Sequence, residues 1–475
     1  MSEIKFGTDG WRAIISDDFT FANVEIVAQA VADFVNSKKS DPVYRKKKLA
    51  IGYDTRFLSD KYARRMASIF AANGISVVLS DMPCPTPALS YYVKKNRLTG
   101  GIMITASHNP PEYNGIKYKG YFGGSAGNDI IGEIEKRLNK STVRIIPFEE
   151  AVKSRKVVTV DIIKPQLAFI KKYADMKKLR KAHLRVLVDS MNGTGLRHLE
   201  TLLKGTRIRL DYIHSDINPG FNGRAPEPNE RHLAELKTLV KKGKYDLGIA
   251  TDGDADRVAV VDNSGEVLTG HKVMALLLLH LLMNRKMRGG VVQTICGTGL
   301  ITKICKEYNI RAYETPVGFK YIAEIMMTKD VLLGGEETGG IGFKNYIPER
   351  DGFLSALLIM EMVVAMKKPL TDILKWVDKK YGSYVYERED IVFPGAKRAK
   401  LVQGIKKSHL AKVLDRRVVD INEADGTKYI CDDGSWLLLR LSGTEPKLRI
   451  YSETSSKKKS LEYIKFGKKY AFSLM

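Results

Sequence analysis

The sequence predicts an α/β protein with largely parallel sheets that carry helices on both faces. Two observations support this. Apolar strand-like runs alternate with amphipathic helical stretches along most of the chain. The runs end in turns rich in Gly, Asn, Asp or Pro, at the sheet edge where open α/β folds place their ligands. A third observation limits the prediction: from about residue 382 the alternation gives way to more isolated strands, which marks a smaller fourth domain.

Taken in order, residues 48–53 form a strand ending at Asp54, followed by a helix with Tyr62, Met66, Ile69 and Phe70 on one face. Strands at 75–79 and 101–106 continue the first block. The second block opens near 156, with a strand at 184–188, a Gly-rich turn at 192–195, a helix and a strand at 208–213. It closes with strands at 245–250 and 257–261. The third begins with a buried helix from Val273 and runs through strands at 290–295 and 331–334. In the fourth, strands 436–441 and 447–451 flank a tight turn. The expected domains are 1–155, 156–265, 266–381 and 382–475, in keeping with 475 residues at roughly 100–200 per domain.

Composition narrows the class. With 44% hydrophobic and 28% charged residues, the chain reads as an ordinary globular protein. The N-terminus has no apolar core of a secretory signal. The longest apolar run, 273–283, contains His280 and falls short of the roughly 20 residues a bilayer span needs. Cys84, Cys296, Cys305 and Cys431 are scattered without paired spacing. That pattern fits reduced thiols, a cytoplasmic location and no sulfur-ligated metal. The net charge of +24 suits anionic ligands. The lysines are dispersed, however, and none of their short clusters is interleaved with aromatic residues. No nucleic-acid partner and no membrane is expected; small phosphorylated molecules are.

Four stretches carry chemistry. Residues 105–118 (Thr-Ala-Ser-His-Asn-Pro-Pro-Glu-Tyr-Asn-Gly-Ile-Lys-Tyr) follow an apolar strand, and Asn109-Pro110-Pro111 breaks the chain direction. Ser107 is thereby displayed as a candidate nucleophile, with His108 and Lys117 near enough to manage protons or charge. A second turn is expected at Asn114-Gly115. In the second stretch Asp252, Asp254 and Asp256 alternate with small residues, so three carboxylates can converge. Three like charges need a cation, and hard oxygen ligands favour Mg²⁺. An EF-hand is excluded, since its sixth and twelfth positions would be Arg257 and Asn263. In the third, glycines flank Glu336 and Thr338 at 334–340, giving an acceptor and a donor suited to sugar hydroxyls. In the fourth, Arg440 and Arg449 bracket Ser442, Gly443 and Thr444, a combination suited to a phosphate dianion.

Together with Phe6-Gly-Thr-Asp-Gly-Trp-Arg12, these motifs resemble, in order and over nearly the whole chain, the α-D-phosphohexomutases. The resemblance implies three doubly wound mixed-sheet domains and a smaller C-terminal α+β domain like the TATA-binding protein. It implies that Ser107 is phosphorylated in the resting enzyme and, with Asp252, Asp254 and Asp256, holds Mg²⁺. Arg12, His108, Lys117 and Arg257 would surround the reacting phosphate. Glu336 and Thr338 would grip sugar hydroxyls beside Gly318, and Arg440, Ser442, Gly443, Thr444 and Arg449 would clamp the other phosphate. The implied reaction moves a phosphoryl group between the 1- and 6-positions of a hexose through a hexose 1,6-bisphosphate. That intermediate must turn over, which explains a clamp on a separate domain.

One departure matters. Many mannose- and amino-sugar-type members follow the sugar-contacting serine with Gly-His; here Thr338-Gly339-Gly340 stands instead. A possible acid/base is lost, leaving Lys117, His108 or a group near Arg350-Asp351, and glucose phosphates are favoured. Phosphomannomutase or phosphoglucosamine mutase activity is the alternative. A catalytically idle relative is disfavoured because the serine, the aspartates and the clamp arginines are all present.

Overall fold

A computed structural model describes residues 4–38, 40–441 and 447–474. The chain forms two compact units, Met1–Met287 with Gly318–Thr371, and Arg288–Val317 with Asp372–Met475.

The first unit contains a six-stranded mixed sheet. Its strand order is Trp11–Ile14, Tyr113–Gly120, Gly100–Ile104, Lys48–Tyr53, Ser76–Ser80, Val157–Val160. The last four run parallel, while Tyr113–Gly120 is antiparallel to both of its neighbours. The sheet takes its sixth strand from beyond the 155 boundary drawn from sequence. Helix Phe21–Ser37 starts at Thr20, whose hydroxyl accepts from Asn23 N, and helix Ser59–Ala72 buries Tyr62, Met66, Ile69 and Phe70. Both pack against sheet residues such as Leu49, Ile51, Ile102 and Ile104, none of which retains any exposure.

The expected turn at Asn114-Gly115 is not formed, because both residues lie inside Tyr113–Gly120. Gly115 serves close approach instead: a Cβ there would sit 2.6 Å from the carbonyl oxygens of Thr105 and Trp11. Asn114 donates from Nδ2 to Ser59 Oγ at 2.9 Å, so its side chain ties the sheet to a helix.

A second sheet in this unit has the order Val258–Val261, Leu247–Thr251, Arg185–Asp189, Arg209–Ile213, antiparallel only at its first pair. The hairpin Val331–Gly335 and Ile341–Phe343 carries the Glu336 turn. The apolar run from Val273 is the helix Gly270–Leu279, which ends in a π-helical turn at His280–Asn284. Among the described residues no helix is long and apolar enough to cross a membrane.

The second unit holds a parallel pair, Gly290–Thr294 with Ala312–Thr315, and a six-stranded sheet whose strand pairs are antiparallel. Helix Lys457–Ser473 buries Tyr463, Ile464 and Ala471 against Leu437, Leu439 and Ile450 of that sheet. The expected fold class, mixed α/β layers followed by a smaller α+β domain, is the one observed.

Helix Gly352–Met366 is apolar on nearly every side and buried for most of its length. Its start depends on Asp351, which accepts from Leu354 N at 2.9 Å, Gln166 Nε2 at 2.7 Å and the Tyr346 hydroxyl at 2.8 Å. Burial nonetheless pushes this carboxyl up to about 6. A folded-state value above the usual carboxylate range of about 4 means that its stabilising contribution is present at low pH and lost as pH rises through about 6. Asn caps helices as well as Asp and cannot ionise. Asp351→Asn should therefore gain stability relative to the parent as pH rises from about 4 to about 7, read from thermal midpoints at each pH.

Candidate active site

Ser107 lies just past strand Gly100–Ile104 with φ 55, a left-handed conformation that costs a non-glycine residue about 1–2 kcal/mol. Arg56 holds it there. The fully buried guanidinium donates from Nε to Asp54 Oδ2 at 3.1 Å. One terminal nitrogen donates to Pro110 O (2.7 Å) and Tyr113 O (2.9 Å), the other to Ser107 O (2.8 Å) and Asn109 O (2.6 Å). All five donors of an arginine are used, four of them on carbonyls of one loop. Ser107 N donates to Thr105 Oγ1 at 2.8 Å, and Ser107 Oγ donates to Asp252 Oδ2 at 3.1 Å with His108 Nδ1 at 3.4 Å.

Asp252, Asp254 and Asp256 are fully buried, with ligand oxygens within 4.8 Å of one another. Their oxygens divide into two sets. Asp254 Oδ2 accepts from Thr86 Oγ1 (2.5 Å) and Lys117 Nζ (2.8 Å); Asp256 Oδ2 meets Lys117 Nζ (3.3 Å) and an Arg350 terminal nitrogen (2.7 Å). Asp254 Oδ1 and Asp256 Oδ1 are buried with no hydrogen-bond partner. Orphaned carboxylate oxygens are costly in a protein interior, and an all-oxygen set fits a hard divalent cation such as Mg²⁺. Burial, then the charges of Asp256 and Asp254, push the Asp252 carboxyl well above the usual range. Burial acts the same way on Asp254, but Lys117 overrides it and holds that group low.

Cations close the space. Lys117, buried on strand Tyr113–Gly120, reaches Asp9 (2.9 Å) as well as Asp254 and Asp256. Burial alone would lower its affinity for a proton, but these carboxylates raise it far above the ordinary lysine value. Arg12 donates to Asn109 Oδ1 at 2.7 Å, and Arg257 N donates to Asp252 Oδ1 at 3.1 Å. Burial, then Arg257, Arg12 and Lys117, hold the His108 imidazole well below the usual histidine range. Glu336 is pushed up by burial against the opposing pull of Arg350 and Arg257. Its turn is joined to the end of the aspartate loop, since Val258 N donates to Gly339 O at 3.1 Å. Thr338 is half-buried in the same turn, and Gly318 stands at the start of helix Phe319–Thr328 beside Thr8.

Ser107, His108, Lys117, Arg12, Arg257, Asp252, Asp254 and Asp256 thus share one buried region. In the second unit, Arg440 and Arg449 are cross-strand partners; Arg440 donates from Nε to Asp425 at 2.8 Å, and Arg449 lies 3.6 Å from Asp390. Ser442, Gly443 and Thr444 lie outside the described residues. The sequence reading missed Arg56, Asp9, Lys119 and Glu349, and it placed only an unspecified acid/base group near Arg350-Asp351. Lys119 Nζ and Glu349 form a fully buried pair at 2.6 Å, and Asp9 bridges Lys117, Lys119 and Arg350. The available signal was weak: Asp9 inside the Gly-Thr-Asp-Gly turn, and a charged Glu-Arg-Asp run at 349–351 ahead of an apolar helix.

A buried serine beside a metal-competent carboxylate set and fixed cations is an arrangement suited to phosphoryl transfer on an α/β scaffold. Comparison with known proteins agrees. The chain matches the alpha/beta/alpha domains I, II and III of phosphoglucomutase/phosphomannomutase over residues 3–144, 164–265 and 269–381, and the C-terminal domain over 395–465. It is 31% identical to the phosphoglucomutase/phosphomannomutase of Thermococcus kodakarensis, covering 97% of each chain. It is also 31% identical to the phosphoglucosamine/phosphogalactosamine mutase of Sulfurisphaera tokodaii, covering 94% of each. A crystal structure from Thermus thermophilus that carries a phosphomannomutase name superposes with a TM-score of 0.86 at 30% identity, covering 98% of this chain and 99% of that one. This chain belongs to the phosphoglucomutase/phosphomannomutase family, the α-D-phosphohexomutases.

The contact between the two loops generates a test. A Cβ on Gly253 would overlap Ser107 O, so the serine and aspartate loops are packed backbone to backbone. Gly253→Ala should separate them and lower kcat roughly 10²-fold, the cost of a misplacement of about 1 Å, while circular dichroism stays native.

Proposed function

We propose that this protein interconverts glucose 1-phosphate and glucose 6-phosphate through phospho-Ser107 and a glucose 1,6-bisphosphate. The observation that carries the reading is Ser107 Oγ at 3.1 Å from Asp252 Oδ2, in an aspartate set where two further buried oxygens accept no hydrogen bond. Asp252, Asp254 and Asp256, with the phosphate on Ser107, would hold Mg²⁺. Bound there, the ion would neutralise charge on the transferring group.

The chain's own residues supply the rest. Arg12, Arg257 and Lys117 face the group on Ser107 and offset its negative charge, the largest contribution a protein makes to phosphoryl transfer. Arg56 holds Ser107 in its left-handed conformation. The sugar hydroxyl attacks phosphorus as the Ser107 Oγ–P bond breaks, and its proton needs an acceptor. Lys117 is held protonated by three carboxylates, whereas neutral His108, whose Nδ1 lies 3.4 Å from Ser107 Oγ, has one unprotonated ring nitrogen. Glu336 and Thr338, beside Gly318, are the groups assigned to sugar hydroxyls. Arg440, Ser442, Gly443, Thr444 and Arg449 are assigned to the phosphate that is not transferred.

The glucose preference rests on Gly340, where no histidine is offered, and on Arg350 and Arg257 beside Glu336. Those two cations would oppose the ammonium of an amino sugar but not a hydroxyl. A second reading, mannose or glucosamine phosphates, is supported by the names of the relatives. Turnover on glucose, mannose and glucosamine 1-phosphates should rank glucose first; glucosamine first would replace the reading. Ser107→Ala should lower kcat at least about 10³-fold and abolish the ³²P label that the parent takes up from labelled substrate. EDTA should silence the parent, with Mg²⁺ restoring it. Full activity in Ser107→Ala would sink the mechanism.

A further inference from the structure

Glu336 is held from behind by Arg350. Arg350, buried to 3% exposure, serves four carboxylates from one guanidinium. One terminal nitrogen lies 2.7 Å from both Asp9 and Asp256, the other 3.2 Å from Glu336, and Nε 3.4 Å from Glu349. Its guanidinium carbon stands 5.3 Å from the ring centroid of Phe319, the residue after Gly318. To reach this position the stem of Arg350 crosses directly over Gly340. A Cβ at 340 would overlap Arg350 Cδ and come within 3.0 Å of Cγ, so the route exists only because that position has no side chain.

We propose that Arg350 is the positioning residue that fixes the Glu336 carboxylate for sugar binding and ties its turn to the aspartate loop, with bare Gly340 as the opening that admits it. The proposal rests on the mutase reading above. A guanidinium suits this role because it is planar, always charged and able to serve several acceptors in fixed directions, whereas a lysine ammonium is a single point charge. Removing Arg350 leaves Glu336 with Arg257 as its remaining cation and frees its carboxylate to swing. Gly340→Ala should do much the same with Arg350 still present, because the new methyl group displaces the stem.

The test uses the full chain carrying Ser107→Ala, so that glucose 1-phosphate binds without turnover, with calorimetry in the presence of Mg²⁺. Arg350→Ala and Gly340→Ala should each weaken binding by about tenfold or more, the scale of one charge-assisted contact. The pair together should be no weaker than Arg350→Ala alone. Arg350→Lys should recover only part of the loss. With Ser107 restored, the same variants should raise KM by a larger factor than they lower kcat. Gly340→Ala and Arg350→Lys keep the test informative if Arg350→Ala fails to fold. Binding within twofold of the parent in the folded variants overturns the proposal, as does additivity of the two sites. A Ser107→Ala parent that binds no hexose phosphate overturns the mutase reading and this proposal together.

Discussion

Charge balance among buried and partly buried groups is the constraint on which the site depends. Asp9, Asp252, Asp254, Asp256, Glu336 and Glu349 face Arg12, Lys117, Lys119, Arg257 and Arg350, all buried or nearly so. An uncompensated ion in such a place costs several kcal/mol, so each group can stay charged only while its partners hold position. Asp9 shows the balance: burial pulls its pKa up, yet Lys117, Lys119, Arg350 and Arg12 together hold it well below the usual carboxylate range. Within this network Asp254 and Asp256 each keep one buried oxygen that accepts no hydrogen bond. The network thus pins three loops and defines where a further cation is wanted.

The same balance explains why Ser107 can be held in a strained conformation. Left-handed backbone at a serine persists only when its surroundings over-determine it. Arg56 does so by occupying four carbonyls of the loop, and Asp54 fixes Arg56 in turn. Loops of this kind tend to be mobile because their backbone groups bond to water. Here those groups bond to one side chain, so buried Ser107 is held in place.

Much of this arrangement was legible in the sequence, where the signal is local. The alternation of strands and helices, the chain break at Asn109-Pro110-Pro111 and the spacing of Asp252, Asp254 and Asp256 each express a constraint that neighbours in sequence impose on one another. Asn114-Gly115 misled because a glycine that permits a close backbone approach has the same spelling as one that permits a turn; only the pairing of Tyr113–Gly120 with two other strands distinguishes them. Arg56, Lys119 and Glu349 were invisible as site residues, and Arg350 as the partner of Asp9 and Glu336, because most of their partners are remote. Arg350 and Asp9 stand 341 positions apart, and Lys119 and Glu349 stand 230 apart. A lone charged residue reads as surface until the fold shows what it is buried against.

The division of labour among the cations also follows from burial. Lys117 is held protonated by three carboxylates, and Arg12 and Arg257 are permanent charges, so none of the three is free to exchange a proton during turnover. They are suited to fixed electrostatic work. His108 differs because burial and the same cations keep it neutral. A phosphate on the adjacent Ser107 would set negative charge against those cations and weaken the cause of that depression, raising the proton affinity of the imidazole. Transfer of the phosphate to the sugar would lower it again. With a phosphate in place there, the proton affinity of His108 would follow the position of the phosphoryl group, as the proposed role of proton carrier requires.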